Sequence, residues 1–298
     1  MVVHETDTET QKEEPVPHHP TPDPSAELLA QLHHRKTEKE EKKMTTQDLP
    51  DHLSYSQINT YMTCPLRYRF QYVEEIEPQF VSAGLAFGSA IHEAAAAFNQ
   101  THLEGDSLRA DQMLDVYRQA WQSREEDARF FNGDDAQSLE NKAQQMLTAF
   151  AQAHDPSTTV IGVEERFQVE FNGLPPFVGF IDLIEQPNGG PVCIVDLKTA
   201  ARKPTDFQIH NNMQLTAYST GAGALGFDTR NLKLRLDELT KTKKPEMVRY
   251  ETMRTERNQE RFVKLVDKVW NAIQRDCWFP RENWHCAQYA YQEHCKNW

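Results

Sequence analysis

The chain predicts an α/β domain: a central mixed β-sheet flanked by helices. Three observations carry this. The hydrophobic period switches along the chain from helical to alternating, back to helical, to alternating again and finally to helical. The 298 residues, 38 % of them hydrophobic, suffice for a sizeable core. The first 50 residues depart from that pattern, with six Pro, five of the twelve His, and eleven acidic against six basic side chains. They read as a disordered acidic tail ahead of a domain at 51–298.

Within the tail a short helix fits Ala26 to His34, and the His pairs at 18–19 and 33–34 read as solvated rather than metal-binding. Ser54 and Ser56 suit the N-cap of a helix through SQINTYMTCPLRYRFQYV, which Pro65 must interrupt or kink. GSAIHEAAAAF, from Gly88 to Phe98, is helical on its alanine content, and helical stretches follow near 107–128 and 137–153. Val160 to Phe171, Pro176 to Glu185 and Val192 to Thr199 read as strands, the last two joined by the turn-rich QPNGGP. A helix around His210 to Gly221, strands near 231–239 and 247–252, and an amphipathic helix from about Thr255 to Arg275 complete the series.

Composition narrows the function classes. Lys plus Arg number 32 against 45 Asp plus Glu, a net charge of −13, which disfavours a broad basic surface that coats nucleic acid but leaves room for a local basic groove. No apolar run approaches the ~18–20 residues of a membrane span. The acidic start MVVHETDTETQKEE is unlike a secretory signal, so the chain reads as cytoplasmic and its five Cys as thiols or metal ligands.

The chemistry gathers on the hairpin around QPNGGP. Alternation places Val178, Phe180, Asp182 and Ile184 on one face of the first strand, and Val192, Ile194, Asp196 and Lys198 on one face of the second. A turn centred on Gly189 sets Asp182 opposite Asp196. Two carboxylates placed so repel unless a cation neutralises them, and hard divalent cations take such oxygens. Lys198, roughly 6.6 Å beyond Asp196 along the strand, reaches toward a bound anion or a water. The plainer alternative is an Asp196–Lys198 pair beside a solvated Asp182.

GFIDLI, a turn and CIVDLKTA together resemble the core of the PD-(D/E)XK nuclease superfamily, in its RecB-like branch. Gly88-Ser-Ala-Ile-His92-Glu93 is similar to the branch's upstream G-x-x-x-H-E, and Gln214-Leu-Thr-Ala-Tyr218 to its downstream Q-x-x-x-Y. SYSQINTYMTCPLRYRFQY is similar to its amino-terminal Ser, Cys-Pro and aromatic-basic pattern. The resemblance spans about 53–298 and implies a restriction-endonuclease-like nuclease core. It implies that His92, Asp182, Asp196 and the backbone carbonyl of Leu197 bind Mg²⁺ or Mn²⁺, and that Lys198 orients or helps deprotonate the attacking water. Gln214 and Tyr218 would sit beside the active site and contact nucleic acid. Glu164, in an E-x-x-F pattern with Phe167, would touch the metal through water or stay solvated. Arg202 and Lys203, with Lys241, Lys243 and Lys244 of LTKTKKPE, line a phosphate-binding groove or simply keep their turns soluble.

Several relatives of this kind tie their ends together with a [4Fe-4S] cluster, using one upstream Cys and a C-x₂-C-x₅-C set. Cys64, Cys286 and Cys295 match, but Tyr289 stands where the middle Cys belongs, and Cys277 lies at a spacing foreign to the pattern. Cubane clusters normally take four thiolates, so reduced thiols are expected here. Cys193, on the strand face away from Asp196, reads as packing.

The resulting expectation is a metal-dependent nuclease hydrolysing phosphodiester bonds of DNA. It would be exonucleolytic or act on single-stranded or duplex ends, in DNA repair, recombination, or phage- or CRISPR-related processing. No G-x-x-x-x-G-K-[ST] loop occurs, so a helicase would be a separate partner. The alternative is a non-catalytic nucleic-acid-binding module on a vestigial nuclease fold.

Overall fold

A computed structural model describes residues 49–131 and 133–298, so the tail expected at 1–50, with its helix at Ala26 to His34, falls outside them but for its last two residues. Helix α1 (Tyr55–Thr63) starts where Ser54 accepts the Gln57 N–H at 3.2 Å. Of the interruption or kink expected at Pro65, the structure shows the interruption, and the stretch forms two helices. Cys64 is extended, and Pro65 opens α2 (Pro65–Tyr68) from its first position, where a missing N–H is harmless. A π turn over Arg69–Val73 continues it.

Strand β1 (Val81–Ser82) leads into α3 (Ala83–Leu103), capped by Ser82 accepting from Leu85 N at 3.2 Å and longer at both ends than the alanine run indicates. Helix α4 (Ala110–Gln122) stops short of the expected 128 because the chain turns away to form β2 (Ala128–Arg129), parallel to β1. Helix α5 (Ala136–Gln152) follows.

Strands β3 (Thr159–Val169), β4 (Phe177–Gln186), β5 (Cys193–Ala200), β6 (Lys233–Thr240) and β7 (Met247–Thr252) form one sheet in chain order. Strands β5 and β6 are parallel and the other neighbours antiparallel, the mixed sheet expected. The β5–β6 crossover carries α6 (Asp206–His210) and α7 (Met213–Ala224). The one helix expected at His210 to Gly221 breaks at Asn211–Asn212, because Asn212 turns its side chain to cap Leu215 N at 3.0 Å. Helix α8 (Glu256–Ile273), a 3₁₀ turn (Trp284–Gln288) and α9 (Gln292–Lys296) come last.

Helices cover both faces of the sheet. Ile58, Leu215 and Val266 of α1, α7 and α8 pack with Ile194 and Leu236 in one core. Ala90, Met113 and Met146 of α3, α4 and α5 pack with Leu197 and Leu239 in the other. Two close approaches set the helices against the strands. A Cβ on Gly88 would lie 3.4 Å from Thr199 Oγ1, so α3 rests on the end of β5. A Cβ on Gly221 or Gly179 would lie 2.4 Å from the Phe167 ring, which is therefore held between α7 and β4. Among the described residues no helix is long and apolar enough to cross a membrane.

Candidate active site

The β4–β5 ladder pairs Leu183 with Val195, Ile184 with Ile194 and Glu185 with Cys193, the register that a turn centred on Gly189 requires. It ends there. One step further, where Asp182 faces Asp196, a side chain replaces the backbone partner: Asp182 Oδ2 accepts the Leu197 N–H at 2.9 Å. The strands separate at the residues that carry the charge.

Asp196 is wholly buried. Its Oδ1 accepts from Lys198 Nζ at 2.6 Å, and its Oδ2 has no partner at all. A lone buried carboxylate oxygen is costly, which makes it the most informative atom in the fold. Asp182 is held from the other side by Tyr218, whose hydroxyl donates to Oδ1 at 2.7 Å and accepts from Gln214 Nε2 at 2.9 Å. Helix α3 brings His92 Nδ1 to 3.8 Å from Asp182 Oδ2.

Electrostatics follow this packing. Burial raises the Asp196 carboxyl to about 7; Lys198 pulls it down and Asp182 adds to the rise. For Lys198 burial works against the ammonium, but Asp196 and Asp182 prevail and hold it above the ordinary lysine range. Burial keeps His92 below the usual imidazole value despite Asp182, so its nitrogens are available as neutral donors near pH 7. Tyr218 is pushed far above the phenol range by burial and then by Asp182, and stays protonated. Glu164 is raised to about 7 by desolvation and by Asp182, on a backbone with φ of 48°, an unusual conformation for Glu.

Of the site residues expected from sequence, the structure brings together His92, Asp182, Asp196, Lys198, Gln214 and Tyr218, with the Leu197 amide. Glu164 lines the same cavity as His92 and Asp182, a space of about 40 Å³ running back to a buried cluster in which Arg235 donates to Glu185 and Asp237. Tyr218, only 4 % exposed, orients Asp182 and presents no free face to nucleic acid. Glu93 turns away to pair with Arg124 of α4. Lys241 reaches the site margin, its Nζ 4.8 Å over the Phe87 ring and its charge felt by His92. Lys203 pairs with Glu246 at 3.0 Å, while Arg202, Lys243 and Lys244 are exposed on the loops after β5 and β6. Sequence reasoning missed Tyr55, which opens α1 within electrostatic reach of Lys198 and Asp196; the capping signal at Ser54 marked the helix but not its closeness to the hairpin.

Among the described residues no three His, Cys, Asp or Glu side chains already converge as a metal cage. Lys198, Tyr218 and the Leu197 amide occupy three of the four carboxylate oxygens' approaches instead. The donor set nevertheless fits a hard divalent cation: an unpartnered buried oxygen on Asp196, a second carboxylate and a neutral imidazole. The cysteine set does not fit a four-thiolate cluster. Cys64 and Cys295 pack with Tyr289, whose phenol is raised by burial and then by those two thiols, and its hydroxyl is buried without a partner. Cys277 stands apart, exposed beyond α8, and Cys193 is buried on the far strand face as expected.

A family model for the PD-(D/E)XK nuclease superfamily matches residues 52–296. A solved Eubacterium rectale protein provisionally described as an exonuclease has the same fold, with a TM-score of 0.53 at 12 % identity over 87 % of this chain and 92 % of its own. A second solved protein, SSO0001, aligns at 15 % identity over 74 % of this chain and 86 % of its own, with a TM-score of 0.35. None of the curated proteins matches significantly.

Proposed function

Because the chain belongs to the PD-(D/E)XK nuclease superfamily, we propose that it is a metal-dependent deoxyribonuclease of the RecB-like branch. It hydrolyses phosphodiester bonds at or near single-stranded ends, in the cytoplasm, during DNA repair, recombination or phage- or CRISPR-related processing, with any helicase supplied by a separate protein. The observation that carries the reading is Asp196 Oδ2, a buried carboxylate oxygen without a partner beside a second carboxylate and an ammonium. Asp182, Asp196 and His92, with the Leu197 carbonyl and Glu164, would hold Mg²⁺ or Mn²⁺. Bound there, the cation supplies the Lewis acidity that phosphodiester hydrolysis needs.

The chain's own residues do the rest. Lys198, whose ammonium Asp196 and Asp182 hold above the ordinary lysine range, orients or helps deprotonate the attacking water and offsets charge growing on the phosphate. Tyr218 fixes Asp182, and Gln214 fixes Tyr218. Lys241 and the exposed Arg202, Lys203, Lys243 and Lys244 hold the phosphate backbone along the rim.

The test is digestion of end-labelled single- and double-stranded DNA with Mg²⁺ or Mn²⁺. Cleavage abolished by a chelator and restored by added metal is expected; strand binding without any metal-dependent cleavage would instead identify a non-catalytic module. Tyr218→Phe gives a finer check. It deletes the hydroxyl on Asp182 Oδ1 and keeps the ring beside Phe167. About a tenfold rise in the metal concentration needed for half-maximal cleavage is expected, with DNA affinity unchanged.

A further inference from the structure

We infer that the exposed side chains of Phe180 and Leu85 form an apolar clamp at the mouth of the cleft and stack on an unpaired base of the substrate strand. The inference rests on the nuclease reading and names which form of nucleic acid the site takes. Helix α3 runs alongside β4 in the same direction. Gly88 meets Thr199, His92 meets Asp182, and Ala95 and Phe98 share a cavity with Leu183 and Glu185. Leu85 precedes His92 by seven residues on one helix face, about 10 Å along the axis. Phe180 precedes Asp182 by two residues on one strand face, about 6.8 Å along β4. Both therefore extend the His92–Asp182 pair toward the same end of the cleft.

Burial along β4 sets Phe180 apart. Phe177 and Ile181 are buried in one core and Leu183 is buried with Cys193 and Val195, whereas Phe180 is 50 % exposed and Leu85 63 % exposed. Directly across from Phe180 on β3 lies Arg166, also exposed, whose guanidinium donates to Gln168 Oε1 at 3.0 Å. An aromatic face with a cation one strand spacing away, and an aliphatic side chain on the helix alongside, suit a base with its adjoining phosphate. A base inside a duplex has both faces covered by its neighbours and cannot take this place, so the clamp selects an unpaired end.

The test scans single abasic residues along a labelled single strand near the cleaved end and measures kcat/KM with Mg²⁺. For the wild type, one abasic position is expected to cost about 5- to 150-fold, the range of one base–aromatic stack. Phe180→Ala should lose as much on the intact strand and be indifferent to the abasic residue; Leu85→Ala should lose less. In Phe180→Trp the indole should stack in place of the phenyl, its fluorescence quenched when a single strand binds and not when a blunt duplex does. Both side chains face solvent, so unchanged melting is the check on folding. If the wild type cleaves but the abasic scan is flat, or Phe180→Ala cleaves as the wild type does, the clamp is wrong and the nuclease survives. A wild type inert on every strand overturns the nuclease reading and the clamp together.

Discussion

Asp196→Asn should abolish DNA cleavage, by at least about 10³-fold, while making the metal-free protein more stable at pH 8. The loss follows from removing a buried anionic oxygen that would hold the cation together with Asp182. The gain follows from linkage. The Asp196 carboxyl is raised to about 7 in the fold, above the value near 3.8 of an unfolded chain. The folded state thus binds the proton more tightly, and the stability this group contributes is full below about pH 4 and lost as pH rises through 7. Three pKa units correspond to roughly 4 kcal/mol, from which a buried, incompletely paired amide subtracts about 1–3 kcal/mol. A net gain of about 2 kcal/mol raises the melting midpoint by roughly 4–8 °C in a domain of this size. The difference between variant and wild type should shrink as pH falls from 7 to 4. The same titration makes metal compete with a proton, so half-maximal cleavage needs more Mg²⁺ below about pH 7. A variant that melts below the wild type at every pH would show that Asp196 is held by contacts other than those seen, and a variant that still cleaves would remove it from the chemistry.

Much of this site was legible in the sequence because a hairpin's register is a local property. QPNGGP fixes the turn and the turn fixes which residues face each other; hence the ladder takes the register that sets Asp182 opposite Asp196, although it stops one step short of them, at Leu183 and Val195. His92 was legible only as part of a motif, since nothing local says that α3 lies against β5, where Gly88 meets Thr199. Three things could not be read. The break at Asn211–Asn212 arises from one side chain choosing a cap over helix continuation, a choice worth about a kilocalorie per mole. The positive φ of Glu164 has no signal in the sequence, since Glu is not a residue that favours it. The burial of Tyr218, which makes it an orienting group and not a surface contact, comes from α7 closing over Phe167 through Gly221. Each is a tertiary decision that strand and helix periods do not encode.

Lys198→Ala is expected to separate chemistry from metal binding. Its ammonium lies 2.6 Å from Asp196 Oδ1 and is 39 % exposed, so it both neutralises the carboxylate pair in the metal-free protein and faces the cleft where substrate arrives. Removing it leaves Asp196 buried beside Asp182 without a counter-charge, a destabilisation smaller than that of breaking a fully buried pair because the ammonium is partly solvated. Part of that is recovered because the carboxyl protonates, so the metal-free variant should melt lower at pH 8 than at pH 6 by several degrees. Mg²⁺ or Mn²⁺ replaces the missing charge, and the variant should therefore gain more in melting temperature from metal than the wild type does, at lower metal concentration, because nothing competes for Oδ1. Cleavage behaves oppositely. With metal saturating and the fold restored, kcat should remain down by about 10²–10³, the usual cost of losing one preorganised donor at developing negative charge. Lys198→Arg should keep the melting behaviour, since the charge stays, and recover only part of the rate, because a planar guanidinium places its donors differently from an ammonium. Cleavage by Lys198→Ala within about threefold of wild type at saturating metal would mean that the lysine is only a counter-ion for Asp196 and that another group meets the phosphate.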